Sequence, residues 1–191
     1  MSRFLKESVE AATLALLVLF IFLFSVQNFR VEGSSMKPTL EEGQYLFVNK
    51  LVYLSVDLQR LSQLIPFWDV AEPKEIFLFH PPRRGEVVVF RSPLNTKRDF
   101  VKRVIALPGE QIEIREGLVY IDGEPLEEVY LKDIDTILPR GRENLSDREY
   151  FVMGDNRPGS NDSRDWGPVP LENVVGKVWC VFWPFSKMTC L

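Results

Sequence analysis

Two residue types that can cleave an acyl bond together, a serine and a lysine, stand in settings suited to that work. Gly33-Ser34-Ser35-Met36-Lys37-Pro38-Thr39-Leu40 is the first setting. A serine nucleophile wants a tight, glycine-flanked turn that exposes Oγ and aims a backbone N–H at the developing oxyanion. The same composition also suits an ordinary linker. Ser34-x-x-Lys37 matches the S-x-x-K pattern of penicillin-binding proteins, which holds Ser and Lys on a helix. Pro38 disfavours a helical Lys37, and the partner motifs S-D-N and K-T-G are absent.

Phe100-Val101-Lys102-Arg103-Val104-Ile105-Ala106 is the second setting. Strand alternation puts Phe100, Lys102 and Val104 on one face and Val101, Arg103 and Ile105 on the other. Lys102 is then a lysine among apolar neighbours. An amine base must be neutral, and desolvation is what lowers a lysine pKa towards neutrality. Arg103 cannot serve, because a guanidinium stays charged. A surface Lys-Arg pair on an edge strand reads the same way in sequence.

Gly154-Asp155-Asn156-Arg157-Pro158-Gly159-Ser160-Asn161-Asp162-Ser163-Arg164-Asp165-Trp166-Gly167 is a polar loop within apolar sequence. Such a loop is costly to order unless its side chains bond one another. It does not follow the calcium-loop pattern D-x-[DN]-x-[DN]-G. His80 is the only histidine. It precedes Pro81-Pro82 and reads as a loop residue, so a hydrolytic base other than histidine is expected. Cys180 and Cys190 lack metal-type spacing; they are a disulfide pair or two inert thiols.

These residues must be carried by a body with a core of its own. The chain has 191 residues, 46 % of them apolar and 26 % charged, and a net charge of −4. No basic stripe marks a nucleic-acid partner. Ala11–Phe29 is uncharged over 19 residues, about 28 Å as a helix, the thickness of a bilayer core. Leu14–Phe24 is apolar on every face, unlike a soluble core helix. Ser25-Val26-Gln27-Asn28 offers no small-residue cleavage site, so an uncleaved anchor is expected. Arg3 and Lys6 before the span balance Arg30 and Lys37 after it, and charge leaves the orientation open.

Beyond the span, strands are expected over Glu86–Phe90, Phe100–Ala106, Gln111–Arg115, Leu118–Ile121 and Val174–Phe182. Glu116-Gly117 and Asp122-Gly123 are hairpin-turn signals. Apolar residues at 51, 54, 58, 61 and 64 fit helical spacing. The aromatic tail Val178–Phe185 reads as a core strand, or as a belt at a membrane interface. The class is mainly β, a single irregular unit behind one N-terminal transmembrane helix.

Taken in order, the anchor, Ser35–Leu40, Arg84–Phe90, Lys102-Arg103-Val104 with Leu107-Pro108-Gly109, and the Gly154–Gly167 loop resemble type I signal peptidases. The resemblance implies a β-rich catalytic domain of the kind also found in LexA-like repressors. It implies Ser35 as nucleophile, Lys102 as general base, Ser160 as the hydroxyl that orients the lysine amine, and Asp162 with Arg164 as a bracing ion pair. Asp155 and Asn156 belong to the same loop. The Ser35 backbone N–H is the oxyanion donor; Gly33 stands where some members carry a serine that supplies a second one. No cofactor or metal is implied.

The organisation implied is a cytoplasmic N-terminus over 1–10, an anchor over 11–29 and a catalytic domain over 30–191 on the outer, periplasmic face of the cell membrane. A variable accessory region covers about 111–149, and 51–80 exceeds the family's core pattern. Partners are membrane lipid and preprotein signal peptides with small residues before the cut (Ala-x-Ala); the protein is expected to act as a monomer. Two other readings stay open: a Ser-Lys protease with another target, such as a self-cleaving repressor, and a membrane-tethered β-domain that binds exported chains without cutting them.

Overall fold

In the computed structural model, which describes residues 2–58, 62, 75–95, 97–131 and 139–191, an apolar helix runs directly into sheet. The helix, Ser2–Ser25, has a mean hydropathy of 2.2 over its apolar stretch and is almost wholly uncovered by protein. It is long and apolar enough to cross a membrane. Its charged start is stitched by Arg3–Glu7 and Lys6–Glu10 pairs one turn apart. The helix stops at Ser25, short of the Phe29 boundary that charge alone suggests. Val26–Arg30 pairs instead with Tyr45–Asn49, and Lys50 N–H donates to the Ser25 carbonyl, ending the helix on the body.

The strands are β1 Val26–Arg30, β2 Tyr45–Asn49, β3 Ser55–Asp57, β4 Glu75–Phe77, β5 Val87–Arg91, β6 Asp99–Ala106, β7 Gln111–Arg115, β8 Leu118–Ile121, β9 Glu124–Pro125, β10 Arg140–Asn144, β11 Glu149–Met153, β12 Val169–Pro170, β13 Val174–Trp183 and β14 Thr189–Cys190. The main sheet runs β1-β2-β13-β5-β6-β11-β12, with β14 also on β13. A second sheet, β10-β7-β8-β9, falls within 111–149, of which 132–138 lie outside the described residues. The protein is mainly β.

Alternation places the core. Val87 and Val89 of β5 pack with Met36, Leu40, Leu46, Val48, Val178 and Val181. Val88 and Phe90 pack on the opposite face with Val104, Tyr150, Val152 and Val169. The second sheet is joined to the first by Ile112, Ile114, Val119 and Ile121 against Ile105, Phe151 and Met153. Glu116-Gly117 and Asp122-Gly123 both take positive φ at each residue, as a two-residue type I′ turn requires.

The helical spacing over 51–64 is not realised over residues 51–57, whereas Leu58 and Ser62 are helical. Leu51–Tyr53 makes one 3-10 turn, because the Asn49 side chain accepts from Leu51 N and Val52 N. β3 then pairs with β4. Residues 59–61 and 63–74 lie outside the described residues.

Candidate active site

The Ser35 turn is built by buried anchors on its far side. Met36 and Leu40 are in the core, Lys37 N–H donates to Ser34 C=O at 3.1 Å, and Leu40 N–H to Met36 C=O at 2.8 Å. Gly33 has φ +80° with open space around it, so its part is backbone shape. The turn leaves Ser35 half-exposed on a groove of about 860 Å³. The Ser35 N–H makes no hydrogen bond among the described residues.

β6 brings the lysine. Lys102 lies opposite Val88 of β5, and its ammonium nitrogen sits 5.7 Å from the Phe100 ring centre on the shared face. Only 3 % of it is exposed. Lys102 Nζ and Ser35 Oγ are 2.7 Å apart; Nζ also donates to Val101 C=O at 3.0 Å. Burial lowers the Lys102 pKa from 10.5 to about 8, against the opposing pull of Asp162 and Asp155. As an ammonium, Nζ donates to Ser35 Oγ. Once neutral, the same contact lets the hydroxyl donate to the amine, which is the geometry of general-base activation.

The polar loop closes the site from the third side. Asp162 is fully buried and caps the short helix Ser163–Trp166, in a reciprocal box with Asp165. Its carboxylate accepts from Gly154 N–H at 2.9 Å and from Arg164 Nε and Nη2 at 2.7 and 2.8 Å. Burial alone would raise its pKa; the Arg164 hydrogen bond and charge and the Gly154 N–H outweigh this and hold it below the usual carboxylate range. Arg164 also ties the loop to itself through Arg157 C=O and Ser160 C=O. Ser160 Oγ is buried and near enough to Asp162 to add to that lowering, yet among the described residues it makes no hydrogen bond of ordinary geometry, to Lys102 or otherwise.

The structure thus brings Ser35, Lys102, Ser160, Asp162 and Arg164 to one place. His80 is elsewhere engaged: its Nδ1 lies 2.7 Å from Pro81 C=O and its ring is edge-on to Tyr53. Among the described residues no His, Cys, Asp and Glu gather as a metal cluster.

Sequence reasoning missed a second tier. Arg103, on the opposite face of β6 from Lys102, forms a bidentate pair with buried Asp155 at 2.8 and 2.6 Å and reaches Thr39 Oγ1. Its guanidinium stacks 4.0 Å over the Tyr130 ring. Arg157 is buried, donates to Gly154 C=O, and forms a two-pronged pair with Glu128. Strand alternation separates Arg103 from Lys102 in sequence. No local pattern announces Glu128 or Tyr130.

The family profile described as signal peptidase, peptidase S26, matches residues 5–183. A probable signal peptidase I-1 of Synechocystis sp. is 36 % identical over 194 residues, covering 97 % of this chain and 86 % of the relative. The signal peptidase I of Bacillus caldolyticus is 36 % identical over 192 residues, covering 94 % and 89 %. That of Pseudomonas aeruginosa is 34 % identical over 219 residues, covering 91 % and 72 %.

Proposed function

We propose, on the premise that this chain belongs to the signal peptidase family, peptidase S26, and is a peptidase that removes signal peptides, that Ser35 and Lys102 make the cut. The observation that carries this is the 2.7 Å contact between Ser35 Oγ and a buried Lys102 whose pKa is lowered to about 8.

Neutral Lys102 takes the Ser35 proton as Oγ attacks the scissile carbonyl carbon. The oxyanion forms within reach of the Ser35 N–H, which has no competing acceptor among the described residues. The resulting Lys102 ammonium protonates the leaving amine, and an ester remains on Ser35. Lys102, neutral again, deprotonates a water that attacks the ester and frees Ser35. Ser160 Oγ, buried without a partner among the described residues, turns to accept from the lysine ammonium and steers it. Asp162 and Arg164 hold the loop that carries Ser160.

The groove beside Ser35 supports Ala-x-Ala specificity. Val31, Leu46 and Val89 are apolar residues of its lining, and the segments Arg98–Lys102 and Glu32–Ser35 also line it. An extended preprotein segment fits such a slot with alternate small side chains turned inward. The N-terminal helix crosses the cell membrane with its N-terminus inside, and residues 30–191 act on the outer face as a monomer, in contact with lipid, with no cofactor.

The test is cleavage of a preprotein with an Ala-x-Ala site by the detergent-solubilised protein, beside Ser35→Ala, Lys102→Ala and His80→Ala. Cleavage after the second Ala that survives only in the wild type and His80→Ala is expected. Cleavage retained by Lys102→Ala would overturn the mechanism.

A further inference from the structure

β14 is only two residues long and ends one residue before the last, Leu191. It places Cys190 directly opposite Cys180 of β13, in antiparallel register. Leu191 N–H donates to Trp179 C=O at 3.0 Å. A bond between the residue after one cysteine and the residue before the other identifies Cys180 and Cys190 as a non-hydrogen-bonded pair. That is the narrow kind of cross-strand pair, with Cα atoms about 4.5 Å apart. It falls within the range a disulfide spans, about 4.4–6.8 Å, without backbone movement.

We infer that Cys180 and Cys190 are a covalent redox site, which a disulfide oxidant closes into a cross-strand disulfide that ties the last strand to β13. The two thiols differ in access. Cys190 is exposed and Cys180 half-buried. Burial, and then Cys190 across the strand pair, push the Cys180 thiol up. Cys190 therefore attacks the oxidant first, breaking its S–S bond and releasing one thiol. Cys180 then attacks the mixed disulfide at Cys190 Sγ and releases the second thiol. In sum, Cys180 and Cys190 lose two protons and two electrons, a Sγ–Sγ bond forms, and the oxidant becomes two thiols.

The bridge encloses residues 181–189, whose first half is held by β2 through Val181 and Trp183 and whose turn is held by the Lys187–Glu41 pair. Between the cysteines lie Trp183 and Phe185, stacked edge to face at 4.9 Å; Phe185 is 72 % exposed. A covalent tie removes the open forms of such a segment. The chemistry is independent of the proposed cut.

The experiment uses the full-length, detergent-solubilised protein, reduced and then treated with oxidised glutathione; remaining thiols are alkylated before intact-mass and peptide analysis. The expected product is monomeric, lighter by two hydrogens, unalkylated, with one peptide pair linked through Cys180 and Cys190. Glutathione retained on either cysteine, alkylation of both, or a link between two molecules overturns the inference. Cys180→Ser should keep one glutathione on Cys190. Should that variant fail to fold, the wild-type masses decide alone. Carboxypeptidase release of the C-terminal residues should slow about ten-fold or more on oxidation; equal rates before and after would remove the tie's role.

Discussion

Asn156 N–H donates to the Ser35 carbonyl at 3.0 Å, and its side-chain amide donates to the Ser34 carbonyl at 3.1 Å. The loop that carries Ser160 and Asp162 is thereby fastened to the backbone of the serine turn. Ser35 is held by its own buried Met36 and Leu40 on one side and, through Asn156, by a loop far along the chain on the other. Changes to that loop should therefore move Ser35 as well as the residues around Lys102.

The first consequence concerns pH and rate. Only neutral Lys102 can accept the Ser35 proton, so kcat/KM should rise with pH and level off above about 8. A profile measured with an Ala-x-Ala substrate that is flat from pH 6 to pH 9 would contradict a lysine base.

The lysine also ties stability to pH, and in the same direction as activity. Folding lowers the Lys102 pKa from 10.5 to about 8, so the unfolded chain binds more protons between those values. Below pH 8 both states are protonated, and the folded state carries the whole cost of a buried ammonium, about 3 kcal/mol. That cost fades as pH rises from 8 to 10.5. Lys102→Met removes it and should be inactive yet more stable than wild type at pH 7, by about 2–3 kcal/mol. The gain should shrink towards pH 10 in urea titrations. A variant less stable than wild type at pH 7 would show that Lys102 is not desolvated.

Gly154 tolerates no side chain. A Cβ there would stand 2.3 Å from Ser160 Oγ and 2.4 Å from the Ser35 carbonyl oxygen. Gly154→Ala should push the loop off the serine turn and lower kcat by about 100-fold. A KM change with kcat intact would place the strain elsewhere.

Glu128 lies 29 residues before Arg157, yet it neutralises that guanidinium inside the loop. Glu128→Gln leaves Arg157 buried without its charge partner and should cost about 3–5 kcal/mol. The urea midpoint should fall with the slope unchanged. Arg157→Met with Glu128→Gln should recover part of that loss, since both charges are then gone; no recovery would deny the pairing.

Asp155→Asn makes the companion test on the other face of β6. It uncouples the bidentate Arg103 pair that joins the loop to Thr39 and β6. A loss of about 3–5 kcal/mol is expected, together with reduced cleavage. Unchanged stability would mean that solvent reaches Arg103.

Much of this protein is written in neighbouring residues. Periods of two and the I′ turn pairs mark Gln111–Arg115 and Leu118–Ile121 to the residue. The same alternation puts Lys102 with Phe100 and Val104, away from Arg103. An unbroken apolar run declares the helix, though its end at Ser25 depends on β2 taking up Val26–Arg30. Such features are local because backbone periodicity and turn strain act between residues a few positions apart. The serine–lysine contact spans 67 residues, and Arg157–Glu128 spans 29. Cys180 and Cys190 face each other only because a tail strand returns in one register rather than the next. Desolvation of Lys102, satisfaction of Asp162 by Arg164 and Gly154, and the orphaned Ser160 hydroxyl arise from packing distant segments together. The sequence by itself determined which residues could do chemistry and on which strand face they lie. Only the tertiary structure decided which of them meet, because burial and long-range distance have no periodicity to be read along the chain.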